Sequence, residues 1–136
     1  MSLGALQGRR VLVTGHTGFK GAWLCTWLLE LGADVWGFAL PPQTDPSLFV
    51  QVELAGRMRH VEGDVRDLAA VAAVLAAAQP DLVFHLAAQA LVRPSYVSPR
   101  ETFEINFMGT VNVLEALRLS GRPCTVVAVT SDKAYE

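Results

Sequence analysis

A doubly wound parallel α/β sheet is the fold class this sequence predicts, on three observations. Short apolar runs alternate with longer segments of helical period, strand–helix–strand four times over. The short runs are continuously apolar, as strands are when helices cover both faces of a parallel sheet. A glycine-rich segment, Gly15 to Gly21, follows the first run and opens the first helical segment. With 51% hydrophobic and 18% charged residues in a chain of 136, the composition fits one globular domain spanning 1–136 and excludes a disordered or collagen-like chain.

Arg10 to Thr14 (RVLVT) is long enough only for a strand. From Thr17 to Leu31, Phe19, Trp23, Leu24, Trp27, Leu28 and Leu31 fall at helical spacing, and Gly32 is the stop signal. Asp34 to Leu40 is the second strand, closed by Pro41, Pro42 and Pro46, which cannot donate to a ladder. A short helix is expected in Ser47 to Gly56 and the third strand in Met58 to Glu62. Asp67 to Ala78 is helical, its leading carboxylate complementing the helix dipole. Asp81 to Leu86 is the fourth strand. One long helix lies within Pro94 to Leu119, stopped by Gly121 and Pro123, and Thr125 to Thr130 is the fifth strand. Right-handed crossovers give the strand order 3-2-1-4-5, with ligands at the carboxyl edge between strands 1 and 4. A full dinucleotide fold carries at least one more strand, so the expectation is a truncated sheet. Trp23, Trp27 and Phe103 are assigned to the core, and so are Cys25 and Cys124, too far apart in sequence for a zinc set or disulfide framework.

Eleven basic against thirteen acidic residues leave a net charge of −2, which offers no attraction to nucleic acid or an anionic membrane. No run approaches the roughly 18–20 apolar residues of a membrane span, and no secretory signal is visible. The expectation is a cytoplasmic protein without a metal site.

The turn Gly15-His16-Thr17-Gly18-Phe19-Lys20-Gly21 has the spacing G-x-x-G-x-x-G. Its glycines permit a tight turn and close backbone approach, and the following helix presents free amides to a pyrophosphate. Lys20 faces either a phosphate or solvent. Where an acid would select NAD at the end of the second strand, the chain has Ala39-Leu40-Pro41-Pro42, so that rule selects neither NAD nor NADP. Asp64, in Gly63-Asp64-Val65-Arg66-Asp67, is either an acceptor for an adenine amino group or a turn cap. His85 reads as a satisfied strand histidine. Leu86, Ala87, Ala88 and Gln89 follow it, mostly small residues past which a flat cofactor can lie. Arg93, Ser95 and Tyr96 are either substrate contacts or a cap and a surface stack. Asn106 on the long helix must find a partner, expected in the backbone of neighbouring strands, and is assigned to structural support near the site. Thr130-Ser131-Asp132-Lys133 sets a hydroxyl, a carboxylate and an ammonium after a buried strand. It reads as proton-transfer chemistry or as a polar turn.

On these motifs the chain resembles the extended short-chain dehydrogenases/reductases. Within them it resembles the CDP-glucose 4,6-dehydratases. Further carriers of the likeness are Pro46-Ser47-Leu48-Phe49, Gln89-Ala90-Leu91-Val92-Arg93 and Asn106-x-x-Gly109-Thr110. Related dTDP-glucose enzymes carry Thr-Asp-Glu where this chain has Ser131-Asp132-Lys133, and the lysine favours the CDP-glucose branch. The resemblance implies an NAD(P)-binding Rossmann fold with NAD as cofactor (NADP not excluded). The cofactor would be held by Gly15, Thr17, Gly18, Phe19, Lys20, Gly21, Asp64, Val65, Leu86, Ala87, Ala88 and Gln89. It implies a lyase of polysaccharide biosynthesis, cytoplasmic and homo-oligomeric, acting on a nucleotide sugar. Carbon 4 of the hexose is oxidised by NAD, water is lost across carbons 5 and 6, and hydride returns to carbon 6. Ser131 would steady the carbon-4 oxygen, Asp132 protonate the departing hydroxyl and Lys133 take the carbon-5 proton. The family also uses a Tyr-x-x-x-Lys pair that these 136 residues lack, so this chain alone is expected to be inactive. Two alternatives stand beside this reading: another nucleotide-sugar epimerase or dehydratase, and a non-catalytic NAD(P)-binding module.

Overall fold

Five strands make one parallel sheet in the order β3-β2-β1-β4-β5 in a computed structural model that describes residues 3–131. They are β1 (Arg10–Thr14), β2 (Asp34–Ala39), β3 (Arg59–Glu62), β4 (Leu82–His85) and β5 (Thr125–Ala128). The order is the one read from the sequence. In the register, Val13 of β1 stands beside Gly37 of β2, and Gly37 beside His60 of β3.

The central strand explains the two-layered core. Alternate side chains of β1 point to opposite faces, and every one from Val11 to Thr14 is buried. Val11 and Val13 join Ala22, Cys25 and Leu28 of α1 (Phe19–Glu30), together with Phe49 and Leu54. Leu12 faces the other way, into a cluster with Val71, Val74 and Leu75 of α4 (Leu68–Ala78) and Val113 and Ala116 of α7 (Gly109–Ser120). Asp67 caps α4, its side chain accepting the Ala70 amide at 3.1 Å.

Several expectations need correction. Trp23, Trp27 and Phe103 are more than half exposed. The helix α1 is apolar all round, so spacing alone does not choose its inner face. Gly21, Ala22 and Cys25 do choose it, because small residues let the helix approach the sheet, and this turns Phe19, Trp23 and Trp27 outward. Cys124 is only half-buried, whereas Cys25 is fully buried, its thiol pushed up to about 12 by burial.

The segment read as one long helix is four pieces. They are α5 (Val92–Val97), α6 (Pro99–Phe103), a π-helical turn over Glu104–Met108, and α7. Pro99 lacks an amide donor and drives Ser98 out of helical geometry, to φ −130° and ψ 66°. The expected helix at 47–56 is likewise split into α2 (Leu48–Gln51) and α3 (Leu54–Arg57), where Glu53 turns left-handed. No helix among the described residues is long and apolar enough to cross a membrane.

Leu12 fills the sheet's centre on the α4–α7 side. Leu12→Ala is expected to lower the unfolding free energy by about 3 kcal/mol, the scale of a buried leucine truncation that leaves a cavity. Urea denaturation followed by circular dichroism measures it.

Candidate functional site

Strand order reverses between β1 and β4, and the loops leaving these two strands meet side by side at the carboxyl edge, where such folds place their ligands. Gly15 takes φ 77°. Its amide donates to the Phe38 carbonyl at 3.0 Å, and the Gly18 amide donates to the Gly15 carbonyl at 3.2 Å. A β-carbon on Gly15 would lie 2.8 Å from the Ala87 nitrogen, and one on Gly21 would overlap the Gly15 carbonyl. The two loops and the start of α1 thus meet backbone to backbone, an approach only glycine allows. Gly18 differs: a β-carbon there would meet only the Gly15 oxygen, at an ordinary 3.4 Å. As the N-cap of α1 it supplies no side-chain bond to the first-turn amides, which carry the positive end of the helix dipole. Thr17 Oγ1 donates to the Leu40 carbonyl at 2.8 Å. Phe19 and Lys20 are exposed, and Lys20 forms no ion pair among the described residues.

A buried hydroxyl ties β1 to β4. Thr14 Oγ1 accepts the Leu86 and Ala87 amides, each at 3.2 Å, and lies 2.7 Å from His85 Nδ1. With its acceptor capacity used, the hydroxyl donates to Nδ1, which fixes the proton of the neutral ring on Nε2. That proton points to Thr110 Oγ1 at 3.0 Å, and Thr110 in turn donates to the Asn106 carbonyl at 2.7 Å. Burial lowers the pKa of His85 and keeps it neutral. The reading of His85 as a satisfied strand histidine holds.

The π turn positions the next link. The Gly109 amide reaches back five residues to the Glu104 carbonyl. Asn106 on that turn receives the Gln89 amide at 2.7 Å and donates to the Gln89 carbonyl at 3.0 Å. The Gln89 side chain accepts the Leu91 amide and donates to Thr102 Oγ1. Asn106 therefore supports the loop after β4, where a strand had been the expected partner.

After β3, Asp64 accepts the Arg66 amide at 2.9 Å and takes a forked ion pair from the same guanidinium, which holds its carboxyl below the usual range. Val65 is buried in the core, its carbonyl held by Asn112 Nδ2 at 2.9 Å. Only its amide is left to face a ligand.

His16, inside the glycine-rich turn, is fully buried. Its ring fills the space where Gly37 lacks a side chain, edge-on to Phe49 with ring centroids 5.4 Å apart, and its Nε2 lies 2.7 Å from His60 Nδ1. Burial first, and the neighbouring His60 second, depress its pKa to about 4. A groove of about 230 Å³ at the opposite edge, between α4, α7 and Cys124, lies away from all of these residues.

Residues 12–135 match the GDP-mannose 4,6 dehydratase family. The chain belongs to this family. It is 52% identical over 130 residues to a CDP-glucose 4,6-dehydratase of Salmonella typhimurium, covering 96% of this chain and 36% of that enzyme. It is 32% identical over 127 residues to a CDP-paratose 2-epimerase of Salmonella typhi, covering 93% and 38%. Among solved structures, UDP-glucose-4-epimerase from Stenotrophomonas maltophila, with bound NAD and formylated UDP-arabinopyranose, superposes with TM-score 0.79 at 28% identity. That match covers 92% of this chain and 38% of the epimerase. The chain thus spans little more than a third of these relatives.

In this member of the dehydratase family, Gly15, Thr17, Gly18, Phe19, Lys20 and Gly21 follow β1 and Leu86, Ala87, Ala88 and Gln89 follow β4 at the same sheet edge, and the two segments touch where Gly15 meets Leu86 and Ala87. Asp64 belongs to the turn leaving β3, two strands away from β1 on the same edge. Ser131 stands three residues past the end of β5, exposed. Asp132 and Lys133 lie outside the described residues. Three residues that the sequence reading left out carry the site's framework: Thr14, His16 and Asn112. A glycine inside a strand, at Gly37, was the available signal for His16, since it marks a close approach. An asparagine within the apolar stretch Val111 to Leu114 was the signal for Asn112.

Removing the Thr14 hydroxyl as Thr14→Val strands the Ala87 amide and His85 Nδ1 in a dry interior. The expected loss of stability is about 3 kcal/mol, against about 1 kcal/mol for Thr14→Ser, which loses one methyl. Urea denaturation of the two variants compares these costs directly.

Acid should weaken the fold by a separate route. Unfolded histidines take up protons near pH 6.5, while His16 resists until about 4. Stability is therefore complete above about pH 6.5 and falls as pH drops toward about 4, with net proton uptake on unfolding in that window. Denaturation across the range tests the sign.

Proposed function

We propose that this chain is the dinucleotide-binding part of a nucleotide-sugar 4,6-dehydratase that uses NAD and acts on CDP-glucose. The observation that carries the cofactor reading is the glycine-rich turn. Gly15 and Gly21 are consumed by packing within the protein, whereas Gly18 leaves open room beside the uncapped start of α1. A pyrophosphate placed there meets free amides, a helix dipole and the Lys20 ammonium. The residues present fit the group: Thr17 and Leu40 border the turn, Ala87 and Ala88 keep the β4 side low, and Asp64 offers remaining lone pairs to an adenine amino group. When bound, NAD supplies a reversible hydride acceptor. The fold's share is to hold the ring beside β4 with a rigid backbone, and Gln89, pinned by Asn106, fixes where that backbone turns away.

The substrate reading is supported by the 52% identity to the CDP-glucose enzyme and by the Ser131-Asp132-Lys133 sequence after β5. In it, Ser131 donates a hydrogen bond to the carbon-4 oxygen, Asp132 delivers a proton to the departing hydroxyl and Lys133 removes the carbon-5 proton. The 136 residues contain no Tyr-x-x-x-Lys pair, so the base for the carbon-4 hydroxyl lies elsewhere on the working protein and this chain alone is inactive. The same reading makes the protein a cytoplasmic lyase of polysaccharide biosynthesis. It also makes the protein a homo-oligomer, since Phe107, Val111 and Leu114 leave an apolar face on the π turn and α7.

Gly18→Val tests the cofactor site with little cost to the fold, because its β-carbon meets only ordinary contact and the extended backbone at φ −76° and ψ 166° suits a branched residue. NAD binding by calorimetry is expected to disappear while the circular dichroism spectrum stays unchanged, and retained binding would reject the site. A second test uses a full-length enzyme carrying this segment. Asp132→Asn and Lys133→Met are expected to slow water loss while substrate-dependent NADH formation survives, and an equal fall in both steps would reject the assigned roles.

A further inference from the structure

Asn112 on α7 grips the turn that leaves β3. Its side chain is buried and donates through Nδ2 to two successive carbonyls, those of Val65 at 2.9 Å and Arg66 at 3.0 Å. Both neighbours are acceptors only, so the amide nitrogen has to face them. Gly109, three residues earlier on the same helix face, lets α7 come this close. A β-carbon there would lie 2.7 Å from Val65 Cγ2.

The other side of the same backbone belongs to Asp64. A trans peptide group is a rigid plate whose C=O and N–H point in opposite directions. The plate that begins with the Val65 carbonyl ends in the Arg66 amide, which donates to Asp64 Oδ1 at 2.9 Å. The plate that begins with the Arg66 carbonyl ends in the Asp67 amide, which donates to the Asp64 carbonyl at 3.0 Å. Asn112 thus holds both plates by the oxygen, and Asp64 is held to both by the nitrogen. Rotation of either plate strains a bond at each end. The forked ion pair from Arg66 cannot replace this grip. It joins residues two apart within the turn and moves with it, so it does not place Asp64 relative to the rest of the fold. The link from Arg66 to Glu101 of α6, at 3.3 Å, does reach outside the turn, but it is an exposed ion pair and worth little.

We propose that Asn112 is a positioning residue for the adenine end of the dinucleotide, acting on Asp64 through these two peptide groups. The proposal rests on the dinucleotide reading above, in which the Asp64 carboxylate accepts the adenine amino group. Without the carboxamide, the Val65 and Arg66 carbonyls lose their donor in a largely dry setting and tilt toward water. The Arg66 and Asp67 amides tilt with them, and the carboxylate they hold leaves its place. Asn112 touches no part of the ligand, so its influence falls on the one contact that Asp64 makes.

The test compares NAD with nicotinamide hypoxanthine dinucleotide, which carries an oxygen where adenine carries the amino group. Calorimetry on the 136-residue chain is expected to show NAD bound about tenfold more tightly than the analogue, the scale of one hydrogen bond to a charged group. In Asn112→Leu, of similar bulk but without a donor, this preference is expected to shrink to about twofold, while affinity for the analogue, which never used the bond, changes little. Asn112→Ser makes the same comparison with a hydroxyl too short to bridge both carbonyls, and it carries the test if the leucine variant does not fold. Asp64→Ala is expected to abolish the preference, and Asn112→Leu added to it should leave the ratio where it is. A parent-sized preference in the Asn112 variants would overturn the proposal. So would an equal weakening of both ligands, which is what a merely structural role produces. A parent chain that binds NAD without preferring it to the analogue would overturn the proposal and leave the dinucleotide site standing. Absence of NAD binding by the parent would remove the dinucleotide reading and the proposal with it.

Discussion

Everything at the carboxyl edge hangs on the Thr14 hydroxyl. It lies at the end of the central strand, where the sheet changes direction, and it receives the first two amides of the loop leaving β4. Without it the Ala87 amide would have to turn outward for a partner, the Leu86 amide alone keeping the Thr14 carbonyl at 3.1 Å, and the loop could not lie close against Gly15. The same oxygen orients His85, and through His85 it reaches Thr110 and the π turn. One buried side chain thereby couples three segments far apart in sequence, because a hydroxyl both donates and accepts.

The neighbouring constraint is steric. Gly15, Gly21 and Gly37 each stand where any side chain would meet another part of the molecule, but they make room for different things. Gly15 and Gly21 let backbones touch, and Gly37 admits an imidazole. Gly18 makes no such accommodation inside the protein, since a β-carbon there would meet only the Gly15 oxygen at 3.4 Å.

The strand order and the place of the glycine-rich turn were legible in the sequence because each follows from one-dimensional signals. Continuous apolar runs mark buried parallel strands, and the glycine-rich turn falls between the first of them and a helix. What stayed illegible depends on relations across the fold. Which side of α1 is buried is decided by Gly21, Ala22 and Cys25 fitting against β1, and the larger Trp23 and Trp27 give the opposite impression to any count of hydrophobicity. The break at Ser98 was visible in Pro99 yet was overridden by the long apolar period around it. His16 could not be placed from its own neighbours, since its contacts come from residues 37, 49 and 60. Within the candidate site, the glycine-rich turn was readable because it is one local motif, while the polar network that supports it was not.

The outward-facing indoles of α1 have an optical consequence. Two of the three tryptophans, Trp23 and Trp27, sit more than half exposed in the native state, and the third, Trp36, lies under the Arg59 guanidinium, 5.1 Å from the ring centroid. The native emission of this chain is therefore already that of wetted indoles, dominated by one helix surface and not by the core. Loss of the packed sheet changes the surroundings of those two fluorophores little, so their emission wavelength is a poor witness to unfolding. It is a sensitive one to anything that comes to rest on the outer side of α1.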